Sequence, residues 1–307
     1  MFIGKAIAMI YTITLNPALD YVVKLDSLKN GEINRAASEQ VFIGGKGINV
    51  SFVLKELGVS SVTMGFVGGF TGNAIEQGIA DAGIQTDFVR LNSGFSRINV
   101  KLRYSEETDI NGCGPEISES EFCEFMEKMS AISDGDTVVI AGSVPKSVPC
   151  DIYEKILERL SDRKIRIVVD AAKSLLLNTL KYKPFLIKPN IEELGDLFGV
   201  SIDSADAAAE YAAELQRMGA CNVLVSMGGQ GALLLDENYN KHLCGVCKGV
   251  VKNTVGAGDS MVAGFLAGVE NGGFEYALKL GTAAGGASAF SDGLPTKEKI
   301  MALLEQL

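Results

Sequence analysis

Short apolar segments typical of β-strands alternate with helix-like segments through most of the 307 residues. Residues 48–57 and 71–82 carry apolar side chains at helical spacing, and a glycine follows each segment. The strand-like runs lie at residues 9–15, 62–67, 136–141, 165–170, 185–188 and 223–226. Because helices connect parallel strands, this alternation predicts an α/β domain with a mostly parallel central sheet covered by helices on both faces.

The end of the chain and two internal stretches depart from this alternation. Residues 231–235 are expected to form a hairpin with the strand before them. Three consecutive helices are predicted at residues 259–270, 274–290 and 296–307. Residues 21–41 and 97–110 lack a helical period and alternate weakly, which predicts β-ribbons inserted into the α/β frame. These ribbons either pair into a small separate sheet or form two ordinary surface hairpins.

Composition argues against several classes of partner. With 47% hydrophobic residues, the chain can bury one large core, so we expect a single elaborated domain over residues 1–307. The formal charge of −10 argues against nucleic acid and against an anionic membrane surface. The apolar runs are too short to span a bilayer. An anionic substrate would therefore need a local cluster of hydrogen-bond donors.

Cysteine usage and the N-terminus indicate the compartment. The six cysteines are scattered and no secretion signal is visible, so reduced thiols and a cytoplasmic location are expected. Residues 1–8 contain one lysine and a short apolar stretch, without the cleavage site of a signal peptide. Met9 is a candidate for the natural start, with residues 1–8 as an upstream extension.

The strongest functional signal is a glycine-rich run that begins at Asn253 and precedes an apolar helix. Gly256 and Gly258 let backbone N–H groups, including that of Ala257, point into one small volume at the helix N-terminus, which favours an anion. Asp259 would then lie beside a bound phosphoryl group and accept a hydroxyl proton. A glycine-rich turn with Asp259 as an ordinary helix cap is the plainer interpretation. The length of the run and its late position favour the phosphoryl site.

A second glycine-rich entry into a helix begins at Gly44. It is not a P-loop, because the first glycine of that motif is missing and Gly47 replaces its Ser or Thr. Gly44 and Gly45 would let a polyol approach the backbone, while Asn49 could hydrogen-bond its hydroxyls and Lys46 could meet a phosphate. A simple helix start with a solvated lysine explains this segment equally well.

Polar residues follow two of the predicted strands. Asp20 follows the first strand, where parallel sheets bind ligands, and can accept hydrogen bonds from a sugar. The alternative is a surface aspartate after an Asn-Pro turn. After a later strand and Lys188, Asn190 and Glu193 stand three residues apart on one helical face and can order waters around Mg²⁺. A capping box explains the same two residues, and both roles can hold at once.

A glycine-rich turn follows Ser226 and includes Gly228 and Gly231. Such a turn can pass under a nucleotide, although an isolated turn of this kind is more often a plain hairpin.

Cys244 and Cys247, with His242 close by, raise the question of a metal or redox site. A structural zinc site takes about four ligands, but there is no second close cysteine pair and only one histidine. A redox pair normally opens a helix, whereas this one lies in a β-like stretch. We therefore disfavour both sites. The single histidine also argues against a Ser-His-Asp hydrolase.

Arg97 and Lys101 are four residues apart in a β-like run, so both side chains face the same side. In an acidic protein, such a pair could hold a phosphate group, with help from Lys46 or Arg35. The alternative is a solvated basic edge that discourages aggregation between strands.

With these residues in place, the chain resembles the PfkB (ribokinase-like) carbohydrate kinases over nearly its whole length. The two glycine-rich stretches look like that family's two signatures, in the same order and at the same separation. The segments that resemble its fructose 1-phosphate branch are 16–20, 96–101, 108–111 with 114–115, 142–145 and 276–294. The resemblance implies a ribokinase-like fold with a small β-sheet lid, formed by inserts at about 18–43 and 95–115. It also implies a homodimer paired through the lids.

The resemblance further implies ATP-dependent phosphorylation of D-fructose 1-phosphate at O6, with Mg²⁺ as the metal. Asp259 would be the catalytic base beside an anion hole formed at Gly256, Ala257 and Gly258. The substrate-binding residues would be Asp20, Gly44, Gly45, Lys46, Asn49, Arg97, Asn99, Lys101 and Ser143. Those for the nucleotide would be Lys188, Asn190, Glu193, Ser226, Gly228 and Gly231, with Glu193 reaching Mg²⁺ through water.

Two other functions stay open on the sequence. One is a kinase of the same family that acts on tagatose 6-phosphate or fructose 6-phosphate, because a furanose bisphosphate is nearly two-fold symmetric. The other is a non-catalytic sugar-phosphate sensor on the same fold, which would not need the base Asp259.

Overall fold

The computed structural model describes residues 8–307. The expectation about an N-terminal extension therefore concerns a segment that lies almost wholly outside the described residues.

Thirteen strands and nine α-helices follow one another along these residues. The strands are β1 (Ile10–Thr14), β2 (Ala18–Lys24), β3 (Ser38–Gly44), β4 (Ser61–Gly68), β5 (Gln85–Leu91), β6 (Arg97–Arg103), β7 (Glu107–Ile110), β8 (Thr137–Ala141), β9 (Arg166–Asp170), β10 (Leu186–Ile187), β11 (Asn222–Ser226), β12 (Ala232–Leu235) and β13 (Lys241–Cys244). The helices are α1 (Lys46–Glu56), α2 (Gly69–Asp81), α3 (Glu119–Lys128), α4 (Ile152–Arg159), α5 (Lys173–Thr179), α6 (Ile191–Phe198), α7 (Ala205–Arg217), α8 (Ala257–Ala289) and α9 (Lys297–Leu304).

Nine strands form the central sheet in the order β13-β12-β11-β10-β9-β8-β1-β4-β5. The pairs from β11 to β5 are parallel, and β12 and β13 add an antiparallel edge. Successive residues of β8 show why the sheet is covered on both faces: Val138 packs into one hydrophobic core and Val139 into the other. The predicted mostly parallel, doubly covered sheet is confirmed.

The two inserted β-ribbons form one small sheet in the order β3-β2-β6-β7, which settles the alternative left open by the sequence. Strands β2 and β6 pair in parallel, while β3 and β7 lie antiparallel at the two edges. At its base, Ile43 packs against Gly78 of α2, where a Cβ would lie 2.4 Å from the Ile43 side chain. This contact fixes the small sheet to the α/β frame.

Helix α8 carries the expected break between two helices. Gly273 has φ 72° and ψ −169°, so the helix turns there instead of continuing straight. The first half begins at Ala257, directly after the glycine-rich turn, which places that turn at a helix N-terminus.

The cysteines of the chain are free thiols. Cys244 and Cys247 are buried, and burial raises the pKa of both thiols. The Nε2 atom of His242 lies 2.8 Å from a carboxylate oxygen of Asp236. Over residues 8–307, none of the helices combines the length and apolar character that a bilayer crossing requires.

Candidate active site

A cavity of about 1320 Å³ opens where the strands of the central sheet end. The carboxyl ends of β1, β9 and β11 bring Thr14, Asp170 and Ser226 to its wall. The small sheet supplies Asp20, Arg97 and Asn99 from another side. We call the residues Lys46, Asp170, Lys188 and Asp259 the core side, and the residues Asp20, Arg97 and Asn99 the small-sheet side.

The glycine-rich turn enters α8 as the sequence predicts. Gly256 has a left-handed backbone, φ 81°, and carries no side chain that could cap the helix. The first N–H groups of a helix lack intrahelical acceptors, so this end can bind an anion. Ala257 N–H already donates to the Thr254 carbonyl at 3.2 Å, which leaves the Gly258 N–H as the more available donor.

Asp259 lies at this turn and is only 5% exposed. The Nδ2 atom of Asn49 donates to its Oδ2 atom at 2.8 Å, which orients the carboxylate and leaves Oδ1 for another partner. Burial raises the pKa of Asp259 to about 6, and the negative charge of Asp170 adds to the shift. A carboxylate with such a pKa is ionised at neutral pH and still accepts a proton readily, as a general base must.

Asp170 lies at the end of β9 and is bound to two lysines. Its Oδ1 atom is 3.1 Å from Lys46 Nζ and 3.7 Å from Lys188 Nζ. Burial would raise the pKa of Asp170, but the ammonium groups of Lys188 and Lys46 outweigh that effect and lower it. Lys46 was expected to meet a phosphate; the structure places its ammonium group on Asp170.

The small-sheet side is organised around Asp20. The Nδ2 atom of Asn99 donates to Asp20 Oδ1 at 2.7 Å, and Gly112 N–H donates to Asn99 Oδ1 at 3.2 Å. Gly112 therefore fixes one end of the Asn99 amide, and the other end orients the Asp20 carboxylate. The other carboxylate oxygen of Asp20 remains available for hydroxyl groups of a ligand.

The glycines before α1 are required by packing. A Cβ on Gly44 would lie 2.8 Å from Asp20 Oδ2, and one on Gly45 would lie 2.7 Å from the Thr14 side chain. Gly45 also has φ 136°, which side-chain-bearing residues rarely adopt. The glycines thus make room for the side chains that surround the cavity.

Arg97 is a half-buried cation at the start of β6. Its Nε atom donates to the Asn16 carbonyl at 3.1 Å, which fixes the direction of the guanidinium group. Among residues 8–307, no carboxylate forms an ion pair with this guanidinium group within 4.0 Å. Its remaining donors can therefore bind an anion in the cavity.

Asn190 and Glu193 form a reciprocal cap at the start of α6. Glu193 N–H donates to Asn190 Oδ1 at 2.7 Å, and Asn190 N–H donates to Glu193 Oε2 at 2.9 Å. Both residues also line the cavity, so the capping role and a ligand role are compatible. One oxygen of Glu193 stays outside the cap.

The side-chain oxygen atoms of Asn190 and Glu193 at the cavity wall are of the type that binds Mg²⁺. In the part of the chain that the structure describes, no cluster of three His, Cys, Asp or Glu side chains could hold a metal by itself. Mg²⁺ keeps much of its water and binds through one or two carboxylates plus substrate phosphates, so Glu193 at the cavity wall is a suitable partner.

The model of the pfkB family of carbohydrate kinases matches residues 9–299. The chain belongs to this family. It is 46% identical to 1-phosphofructokinase of Bacillus subtilis (strain 168), over 97% of this chain and 98% of that relative. It is 40% identical to D-tagatose-1-phosphate kinase of Bacillus licheniformis, over 95% and 96%. Phosphofructokinase-2 from Escherichia coli, solved in complex with substrates and products, has a TM-score of 0.90 at 29% identity, covering 98% and 99%.

Most of the site residues predicted for a pfkB-family kinase line the one cavity. On the substrate and transfer sides these are Asp20, Gly45, Lys46, Asn49, Arg97, Asn99, Ser143, Gly256, Ala257, Gly258 and Asp259. Toward the expected nucleotide they are Lys188, Asn190, Glu193, Ser226, Gly228 and Gly231.

Two predicted residues of this pfkB-family kinase, Gly44 and Lys101, do not line the cavity, although both lie within the described residues. Gly44 faces the Asp20 carboxylate instead. Lys101 Nζ donates to Asp109 Oδ2 at 2.9 Å, across to β7. Four strand residues span roughly 13 Å, so sharing a face with Arg97 does not bring Lys101 to the same ligand. The predicted phosphate-binding pair is not assembled.

The cavity is also lined by three residues that were not predicted from the sequence: Asp170, Asn16 and Asn111. The signal for Asp170 was available: it is a charged residue at the carboxyl end of an apolar strand, where parallel sheets bind ligands. Asn111 lies directly after β7 and gave no comparable signal.

Proposed function

We propose that this pfkB-family kinase transfers the γ-phosphoryl group of ATP to O6 of D-fructose 1-phosphate, giving fructose 1,6-bisphosphate. The observation that carries the proposal is that the buried Asp259 and the half-buried Arg97, which has no ion-pair partner among residues 8–307, share one cavity. Asp259 is suited to act as a general base, and Arg97 is suited to bind the phosphate that the acceptor already carries. The 46% identity to a 1-phosphofructokinase supports this acceptor.

The small-sheet side supports recognition of a phosphorylated ketohexose. Asp20, oriented by Asn99, accepts hydrogen bonds from ring hydroxyls, and Arg97 binds the 1-phosphate through parallel hydrogen bonds. With the phosphate held there, the 6-hydroxyl lies toward Asp259.

The core side supports the transfer step. Asp259 accepts the proton of the 6-hydroxyl as that oxygen attacks the γ-phosphorus. The Gly258 N–H and the α8 N-terminus stabilise negative charge on the transferring group, which an aspartate alone cannot do. A buried base oriented by Asn49 also favours an enzyme over the sugar-phosphate sensor considered above.

The remaining wall suits the Mg-nucleotide. Lys188, Asn190, Ser226, Gly228 and Gly231 lie along it. Glu193 would reach Mg²⁺ through water, and the bound ion would neutralise phosphate charge during transfer. The free thiols of the chain support a reducing compartment such as the cytoplasm for this reaction.

Tagatose 1-phosphate is the second candidate acceptor, because a D-tagatose-1-phosphate kinase is 40% identical over 95% of this chain. The two sugar phosphates are epimers at one ring hydroxyl, so Asp20 and its neighbours have to distinguish them. This alternative leaves the base, the phosphate site and the product class unchanged.

An ADP-release assay over four acceptors tests the proposal. We expect kcat/KM to be highest for fructose 1-phosphate, lower for tagatose 1-phosphate and fructose 6-phosphate, and lowest for unphosphorylated fructose. A preference for tagatose 1-phosphate would select the second candidate. ADP release that does not depend on any of the four sugars would contradict both.

We also propose that two copies of the chain pair through their small sheets. On the face opposite Asp20, Val41, Tyr21, Val100 and Ile110 lie side by side and form one apolar row across all four strands. Val41 is 60% exposed and Ile110 57% exposed, at the two edge strands. A small sheet with an exposed apolar face gains stability when a second sheet covers it. A tetrameric inhibited form is known for phosphofructokinase-2 from Escherichia coli.

Light scattering on the Val41→Asp variant tests this pairing. We expect wild type to be a dimer at micromolar concentration and Val41→Asp to be largely monomeric. Tyr239→Asp is the matched control, because Tyr239 is 67% exposed in a turn far along the chain. A monomeric wild type, or equal effects of the two variants, would refute pairing through this face.

A further inference from the structure

Asp170 is a charged residue of the cavity wall to which the proposed reaction assigns no role. It is 2% exposed at the end of β9, and the side-chain groups that bind it among residues 8–307 are two ammonium groups. Lys46 arrives from the first turn of α1 and Lys188 from the end of β10. A single carboxylate thus connects three separate elements at the centre of the site.

Lys188 reaches the turn that carries the base, and the charge of Lys46, the other lysine of the pair, acts on Asp259. A Cβ built on Gly258 would lie 2.9 Å from Lys188 Nζ, so the ammonium group lies against the proposed anion hole. A Cβ built on Gly142 would lie 3.7 Å from Lys46 Cβ, which places the stem of Lys46 along the loop after β8. Lys188 is buried, and its ammonium group needs a counter-charge to remain there.

We infer that Asp170 is a positioning residue for phosphoryl transfer: it binds the ammonium groups of Lys46 and Lys188 and holds them beside the turn that carries Asp259. This inference rests on the proposed role of Asp259 as the base. Held in this way, the two cations can stabilise the charge of the transferring group, and neither can swing onto Asp259 and neutralise it.

The charges around Asp259 support this arrangement. The groups that act on it are Asp170, Lys46 and Lys188, together with its hydrogen bond from Asn49. After burial, Asp170 is the main cause that raises the pKa of Asp259, whereas Asn49 and the two lysines lower it. Removing the charge of Asp170 should therefore lower the pKa of Asp259, and removing the charge of Lys46 should raise it.

The experiment measures kcat against pH for Asp170→Asn and Lys46→Met, with Mg-ATP and the sugar phosphate that wild type turns over fastest. For Asp170→Asn we expect the plateau of kcat to fall on the order of a hundredfold, which is the loss expected when the reacting groups are held slightly out of place. The acidic limb of the profile, where kcat falls as pH decreases, should move to lower pH for Asp170→Asn and to higher pH for Lys46→Met. In the Lys46→Met background, the loss caused by Asp170→Asn should shrink to less than about tenfold, because the two residues act together.

The matched control is Asp236→Asn, which removes a carboxylate that is also 2% exposed but does not line the cavity. It should leave the acidic limb in place. Should Asp170→Asn not fold, Lys46→Met alone carries the pH test, because it leaves the buried pair of Asp170 and Lys188 in place and should still move the acidic limb to higher pH.

An acidic limb that stays at its wild-type pH, or an equal loss from Asp170→Asn with and without Lys46, would overturn the inference. These outcomes are separate from a failure of the proposed function. If Asp259 were not the base, Asp259→Asn would retain turnover, whatever Asp170→Asn does.

Discussion

On the core side of the cavity, Asp170, Lys188 and Asp259 are buried and Asp170 is bound to two lysines, whereas on the small-sheet side Arg97 has no ion-pair partner among residues 8–307. Asp259, Asp170 and Lys188 are each at most 5% exposed and belong to elements packed on the central sheet. Arg97 is half-buried on a four-stranded sheet whose far face carries exposed apolar residues.

The difference separates two tasks. Transfer chemistry needs charges fixed before the substrate arrives, so their partners are built into the protein. Recognition of a phosphate needs donors that are oriented but still unsatisfied, as the guanidinium of Arg97 is. The two sides should therefore fail in different ways when they are changed.

The largest effect is expected from Asp259→Asn. The variant keeps the shape of the side chain but cannot accept the hydroxyl proton, so kcat should fall on the order of a hundredfold to ten-thousandfold. Calorimetry should show nearly unchanged affinity for the sugar phosphate, because the small-sheet side is intact. A variant that retains most of the wild-type kcat would break the division between the two sides.

Arg97→Ala should show the opposite pattern. We expect a loss of roughly 2–3 kcal/mol in kcat/KM for fructose 1-phosphate, the scale of charge-assisted hydrogen bonds, and little loss for unphosphorylated fructose. Lys101→Met is the matched control and should affect the two sugars alike, because Lys101 is bound to Asp109 away from the cavity. Equal losses on both sugars for Arg97→Ala would mean that Arg97 only supports the sheet.

Glu193→Gln separates the capping role of Glu193 from its role toward Mg²⁺. A glutamine can still accept the hydrogen bond from Asn190 N–H, so the start of α6 should be preserved. We expect the Mg²⁺ concentration for half-maximal rate to rise on the order of tenfold, as for other changes around a metal site. Glu192→Gln, next along the same cavity wall, is the control. An unchanged Mg²⁺ requirement would leave the cap as the only role of Glu193.

The smallest expected effect concerns stability. The pKa of Asp259 is about 6 in the folded protein, above its ordinary value of 3.8. The contribution of this one group to folding stability is therefore fully present below pH 3.8 and is lost as pH rises through 6. Asp259→Asn should therefore stabilise the protein at pH 8, on the order of 1 kcal/mol, and have little effect near pH 4.

Asp236→Asn provides the contrast. Burial would raise the pKa of Asp236, but His242 and the hydrogen bonds from Asn240 and Asn238 lower it, so the charged form stabilises the fold at neutral pH. This variant should lower Tm at pH 8. Thermal melts of both variants at pH 4 and pH 8 test the two signs, and a lower Tm for Asp259→Asn at pH 8 would contradict the first.

The glycine-rich turn was more predictable from sequence than the ion pairs in and around the site. Glycines before an apolar helix specify a turn with free N–H groups, so the position of Asp259 followed from local sequence. The ion-pair partners of Lys46 and Lys101 could not be predicted in this way. Lys46 and Asp170 are distant in the chain, and the pair of Lys101 with Asp109 depends on the register between β6 and β7. Both lysines were expected on a phosphate, and both lie on a carboxylate.

The same limit applies to the fold. The spacing of apolar residues and the positions of glycines predicted the alternation of strands and helices and the break at Gly273. The pairing of the two inserted ribbons depends on the parallel contact of β2 with β6, which joins residues almost eighty positions apart and has no local sequence signal.

The most direct test of the account is the position at which the phosphoryl group arrives. In this account, the 1-phosphate of the sugar lies on Arg97 and the 6-hydroxyl at Asp259. Incubation with Mg-ATP and fructose 1-phosphate should therefore give one fructose 1,6-bisphosphate for each ADP formed, as measured by ³¹P NMR. The Asp259→Asn variant should form this product at a small fraction of the wild-type rate. ADP without a second sugar phosphate, or phosphorylation at a ring hydroxyl instead of O6, would contradict the account.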